Sequence, residues 1–169
     1  AELVLHDNYA QNVTLGNDRA LAVQMLSVQK RFIRSMEASG DLDRVIEFLP
    51  TDADMDLRLS TGHGLTSPEL AVLMAYAKIT LTTDLTGSSL GSEPWFSSLL
   101  RGYFPEPIVA QFGDRLDSHP LRSEIITTVV SNDMINDGGS TFVFRAAEET
   151  GAGAVEIARA YIVAREVFG

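Results

Sequence analysis

The sequence predicts an all-α fold, an irregular bundle of roughly eight helices. Three observations predict it. Apolar residues recur at three- and four-residue steps along most of the chain. The periodic segments are bounded by helix signals, with Asn, Asp, Ser or Thr before them and Gly or Pro after. No stretch alternates convincingly with period two, and no Asn-Gly hairpin turn occurs.

Taken in order, Leu3, Leu5, Tyr9 and Val13 space a helix over 1–15. Leu21, Met25, Val28, Phe32 and Met36 set one buried face of a longer helix over 17–39. Asn17 or Asp18 caps its start, and Gly40 stops it. "DLDRVIEFL" reads as a short helix over 41–50, ended by Pro50. Residues 51–64 hold a helical turn near 54–58 before the glycines break it.

Thr66 or Ser67 then caps a well-marked helix, with Pro68 in its first turn and Glu69 near the positive end of its dipole. Leu70, Leu73, Met74, Ala77 and Leu81 form its face down to about Leu85. A Gly/Ser-rich connector fills 86–92, and "EPWFSSLLRGYF" gives a helix from about 94 to 102. Pro105 and Pro107 open another short helix. A longer one over 121–136 turns Leu121, Ile125, Val129 and Ile135 inward and ends at Gly138-Gly139. Helices over 140–150 and 154–168 follow, separated by "GAG". In the last, Ile157, Tyr161, Ala164 and Phe168 share a face. "TFVFR" has strand propensity but lies between helix punctuation marks.

A net charge of −10 opposes binding to nucleic acid or to an anionic membrane surface. No apolar run approaches the ~20 residues of a membrane span. The chain contains no cysteine, which excludes disulfides and thiol chemistry and fits a reducing, cytoplasmic location. It opens on "AELVLHDNYAQNV" without methionine, which reads as the interior of a longer polypeptide.

Few residues offer chemistry. His63 stands between two glycines, where a general base or ligand could be held, but no nucleophile or acid stands at a recognisable spacing. Asn132 and Asn136 lie one helical turn apart, as do Asp133 and Asp137, and paired oxygens of this kind could hold a hard cation. The EF-hand pattern is absent, so a polar helix end is the simpler expectation. Gly138-Gly139 and 151–153 lack the spacing and strand context of a phosphate loop and read as helix stops. Lys78, after "LMAYA", is the better candidate of the two lysines for a desolvated amine, Lys30 being the other. Its long stem explains it more cheaply. Trp95 reads as a core or interface anchor. No catalytic, cofactor-binding or metal residue is therefore assigned. A self-contained hydrolase or metal enzyme would need His63, Asp133 and Asp137 to converge.

Several strings together carry a resemblance: "LHDNYAQN" (5–12), "GLTSPELAVLMAYAKI" (64–79), the run from Tyr103 to Ala152, and "IARAYIVAREVF" (157–168). They resemble the C-terminal region of the large bacterial NAD-specific glutamate dehydrogenases, in order and over essentially the whole chain. The resemblance implies a parent enzyme that oxidatively deaminates glutamate to 2-oxoglutarate with NAD and acts as a homo-oligomer. It implies that the nucleotide-binding glycines and catalytic residues lie upstream. The matching Pro68, Glu69, Lys78, Pro105, Arg122, Asn132, Asn136, Arg145 and Arg159 carry no catalytic assignment. Ser67 departs from the family pattern, which has Arg there. On this reading 1–15 closes the upstream catalytic segment and 16–169 is a C-terminal helical domain. It holds no cofactor itself and packs on that segment. An independent helical binding module is the alternative.

Overall fold

The computed structural model describes residues 15–168. Among them it forms eight α-helices and no strand: α1 (Leu15–Ser39), α2 (Asp52–Thr61), α3 (Ser67–Thr86), α4 (Ser97–Tyr103), α5 (Glu106–Leu116), α6 (Arg122–Gly138), α7 (Phe142–Thr150) and α8 (Ala154–Phe168). Two 3-10 turns, Leu90–Ser92 and Pro94–Phe96, join α3 to α4. The helix expected over 1–15 lies almost wholly outside the described residues. α1 is already helical at Leu15, so Asn17 and Asp18 sit inside it rather than capping it.

α3 and α6 form the central pair. α3 buries Leu70, Leu73, Met74, Ala77, Leu81 and Leu85, the face its periodicity predicts. α6 meets α3, α4, α7 and α8, so it is covered on several sides. Its buried residues are Ile126, Thr127, Val130, Ser131, Met134 and Ile135. That corrects the expected face: Leu121 is exposed, and Ile125 and Val129 are only partly buried. Two polar residues on the inner face hid the true stripe from a reading of apolar spacing alone. Burying each large apolar side chain contributes roughly 1.5–3 kcal/mol, so the α3–α6 seam dominates the core.

The other helices clothe this pair. α1 buries Leu26, Val28, Phe32, Ile33 and Met36, while Leu21 and Met25 are partly covered. α8 buries only Ile157 and Ala158. Its covered stretch ends at Ile162, leaving Val167 and Phe168 exposed, so the face expected to include Ala164 and Phe168 is not a core face over its second half. "TFVFR" forms no strand: Phe142 to Arg145 open α7 and Thr141 is the turn residue before it. Trp95 is a surface residue rather than a core anchor: its indole N–H donates to Glu93 Oε2 at 2.9 Å and its ring leans on Phe96.

The segment between α1 and α2 departs most from expectation. Residues 41–50 form no helix. The Asp43 carboxylate accepts the backbone N–H groups of Val45 and Ile46, and Phe48 has a left-handed φ of 53°. Such a backbone costs a non-glycine residue about 1 kcal/mol or more. It is held by Arg44, whose side chain is nearly enclosed. The Arg44 guanidinium donates to the Pro50 carbonyl at 3.1 Å, Asp52 Oδ1 at 2.8 Å and Glu37 Oε2 at 2.6 Å. Leu42 and Leu49 are buried at either end. In a helix Leu42 and Leu49, seven residues apart, would share a face and the Arg44 guanidinium would point away from it; the turn lets all three point inward. Thr51 and Asp54 then form a reciprocal capping box, which extends the expected turn into the whole of α2.

Asp52 ties this junction together. Hydrogen bonds from Arg34 and Arg44 hold its carboxyl down from 3.8 to about 2. A carboxyl depressed in the folded state stabilises at pH above its unfolded value, and loses that contribution as pH falls through the folded one. The stability difference between the native chain and Asp52→Asn should be full above about pH 4 and should close as the pH approaches 2, followed by urea unfolding across that range.

Candidate functional site

The Gly62-His63-Gly64 turn is built by helix ends. Gly62 sits at φ 70° beyond the last turn of α2, and its N–H bonds back to the Leu59 carbonyl. The His63 N–H reaches the Arg58 carbonyl at 2.8 Å. Together these bonds make a Schellman stop. At Gly64 the chain crosses α1 so closely that a Cβ would lie 2.7 Å from Ala22 Cβ. Each glycine thus has a structural reason. His63 is exposed, with Nδ1 3.1 Å from Thr61 Oγ1. That hydroxyl also bonds the Leu57 carbonyl at 2.8 Å, as a helix-end hydroxyl does.

Glu69 clamps the start of α3. One of its oxygens accepts the Thr66 N–H at 2.6 Å, and both take the Arg58 guanidinium of α2 at 2.6 and 2.9 Å. Burial works to raise this carboxyl, but Arg58 and Thr66 outweigh it and hold it below the usual range. Pro68 lies in the first turn of α3, as expected.

Asp133 and Asp137 do share a face of α6, and α8 occupies that face. Arg165 donates to Asp133 at 2.6 Å, and the Tyr161 hydroxyl donates to Asp137 at 2.6 Å. Burial first, and then the Asp137 bond, push the Tyr161 hydroxyl up to about 12. Asn132 is partly buried and Asn136 exposed. His63 lies in the α2–α3 turn, and no group of three or more His, Asp or Glu gathers to hold a metal among the described residues. Gly139 and Gly151 stop α6 and α7, and Gly153 donates to Glu156 at the start of α8. Lys30 joins α1 to α2 through Asp56 and the Asp52 carbonyl. Lys78 is partly buried on α3, and Arg145 partly buried on α7.

A second polar knot surrounds Glu93, between the 3-10 turns. Its carboxylate takes Trp95 and two bonds from Arg159 of α8, at 3.0 and 2.6 Å. These partners, Trp95 foremost, hold it below the usual range. Arg122 donates to the Glu93 carbonyl and to Asp117, both at 2.8 Å, fastening the start of α6.

One cleft of about 360 Å³ opens where α1, α3, α6 and α7 meet. Phe32, Met36, Leu81, Val143 and Phe144 give it an apolar wall, and Asp41 and Asp84 give it two carboxylates. Among the described residues no Lys or Arg lines it. Burial, with the Asp41 charge added, pushes the Asp84 carboxyl up. The two acids come from separate segments, so no sequence spacing announces them. Their chemistry suits a small cationic group on an apolar body.

The fold and these contacts define a class: a domain that is helical throughout its described elements and whose polar side chains mainly lock one helix to another. The chain belongs to the glutamate dehydrogenase C-terminal family, which matches residues 62–169. It is similar to the NAD-specific glutamate dehydrogenases of Halomonas elongata (39% identical over 168 residues, 99% of this chain), Pseudomonas aeruginosa (39% over 166, 98%) and Mycobacterium tuberculosis (38% over 169, 100%). The chain spans about a tenth of the length of each.

Two measurements check the geometry. Gly64→Ala should cost about 1–3 kcal/mol in chemical denaturation, because backbone of α1 as well as a side chain stands in the way. Gly102→Ala, where nothing lies within 4 Å, should cost nothing. Tyr161→Phe should cost about 1 kcal/mol at neutral pH through the lost bond to Asp137. A raised hydroxyl stabilises below its unfolded value of 10 and loses that effect toward about 12, so the two proteins should converge in stability over that range.

Proposed function

We propose that this chain is the C-terminal helical domain of an NAD-dependent glutamate dehydrogenase and that its role is structural. It packs against the catalytic part of the same polypeptide or a neighbouring subunit, and through that contact tunes activity. The whole enzyme, a cytoplasmic homo-oligomer, would convert L-glutamate and NAD to 2-oxoglutarate, ammonia and NADH. The chain itself carries no catalytic or cofactor-binding residue in this reading.

The observation that carries it is the use made of the polar side chains. Glu69, Asp133, Asp137 and Arg159 lie in the strings that resemble the dehydrogenases, and each joins one helix or turn to another. Groups committed in this way are poorly placed to turn over a substrate. The length of the relatives supports the same reading, since the chain accounts for only about a tenth of them.

The cleft with Asp41 and Asp84 favours a second reading, an independent helical module that binds a small ligand. Co-expression of the upstream segment with this chain, followed by a pull-down, separates the two. A structural domain is retained by that segment; an independent module is not.

The isolated chain, mixed with NAD and glutamate, should produce no NADH absorbance, while the full-length polypeptide does. Turnover by the chain alone would overturn the assignment.

A further inference from the structure

The turn between α1 and α2 presents its apolar side chains outward. Val45 is 83% exposed, Ile46 69% and Phe48 89%. They are not the tip of a loose loop. Leu42 and Leu49 are buried on either side, and the enclosed Arg44 guanidinium fixes the backbone between them. From the other side, the Tyr76 hydroxyl of α3 donates to Glu47 Oε1 at 2.7 Å. Ile79, one turn further along α3, adds a fourth apolar side chain, 60% exposed. The three side chains of the turn stand on a backbone held from both sides, with water on their outer side, and Ile79 is exposed on the helix that holds the turn.

An exposed apolar cluster on a preorganised backbone marks an interaction site. Phe48 keeps its left-handed conformation although its own ring gains almost no burial within the chain. Strain of this kind persists where the surroundings impose it, and it gathers at functional sites. We propose that Val45, Ile46, Phe48 and Ile79 are the plug by which this domain docks into the remainder of its own polypeptide. This rests on the reading of the chain as one domain of a much longer enzyme.

Two observations select that occupant. About nine tenths of a relative's length lies outside this chain, so a large protein surface of the same polypeptide is at hand. The exposed charges of the turn itself are acidic. Asp41 and Asp43 flank it, Glu47 stands within it, and the Arg44 charge is enclosed by Glu37 and Asp52. An acidic collar disfavours the anionic lipid headgroups of a membrane surface. It favours an apolar protein pocket with Lys or Arg at its rim.

The test uses the full-length polypeptide with Phe48 replaced by photoreactive p-benzoylphenylalanine, and Glu149, exposed on α7, replaced in the same way as a control. After irradiation, peptide mass spectrometry should find position 48 joined to residues outside this chain, at several-fold the yield from position 149. Attachment to residues 15–168 of another copy, or no attachment above the control, would overturn the proposal. The triple variant Val45→Ser, Ile46→Ser, Phe48→Ser guards against a folding artefact. In the isolated chain it should leave the unfolding midpoint unchanged; in the full-length polypeptide it should speed proteolytic release of this domain. Cross-linking does not read turnover. A specific cross-link in a polypeptide with no glutamate dehydrogenase activity would refute only the functional reading, and activity without the cross-link would refute only the plug.

Discussion

Everything in this fold rests on the burial of one face of α3 against α6. α3 has six buried apolar residues in regular register, two of them fully enclosed. α6 answers with a face that is not wholly apolar, since Thr127 and Ser131 are as buried as its isoleucines. Their hydroxyls are small enough to let the helices close, and Thr127 meets Thr86 of α3 at 2.9 Å. An apolar residue of larger volume at either place would overfill the seam. The remaining helices cover the flanks of this pair and cannot be positioned without it.

Charge then fixes what burial leaves loose. The chain has 13 Lys and Arg against 23 Asp and Glu, so cations are the scarce partner. Several of them connect one element to another: Arg31 with Glu148, Arg58 with Glu69, Arg159 with Glu93, Arg165 with Asp133. Exposed pairs of this kind contribute little stability each. What they supply is orientation, because a forked guanidinium accepts few geometries. Arg58 and Glu69 show both effects, since Glu69 also caps α3 while holding α2.

The helical class, and the extent of α3 down to its buried residues, could be read directly from spacing and caps. The glycine stops after α1, α2, α6 and α7 were legible for the same reason: a left-handed terminus is a local demand. Reading failed where a partner outside the segment decides the outcome. Residues 41–50 have helical spacing, but Arg44 finds Glu37 and Asp52, and that knot outweighs the pattern. The stripe on α6 was misplaced because its inner face includes Thr and Ser. Asp133 and Asp137 were rightly seen to share a face, yet what fills that face, Arg165 and Tyr161, lies on another helix. The Asp41–Asp84 cleft had no signal at all, because it exists only once α1 and α3 have met.

These failures share a cause that also bears on function. Where Asp133 and Asp137 looked chemical, the structure uses them to join helices; where 41–50 looked like an ordinary helix, the structure turns apolar side chains toward water. A domain that served only itself would have little reason for the second arrangement, because folding 41–50 as an amphipathic helix would cover Val45 and Ile46 along with Leu42 and Leu49. Arg44 prevents this by holding the guanidinium inside and the hydrophobic residues out. The exposed cluster is therefore a consequence of a specific buried charge knot, not of a loop left unfinished. That places the burden of the proposed role on a surface rather than a pocket, and on Arg44 as the residue that shapes it.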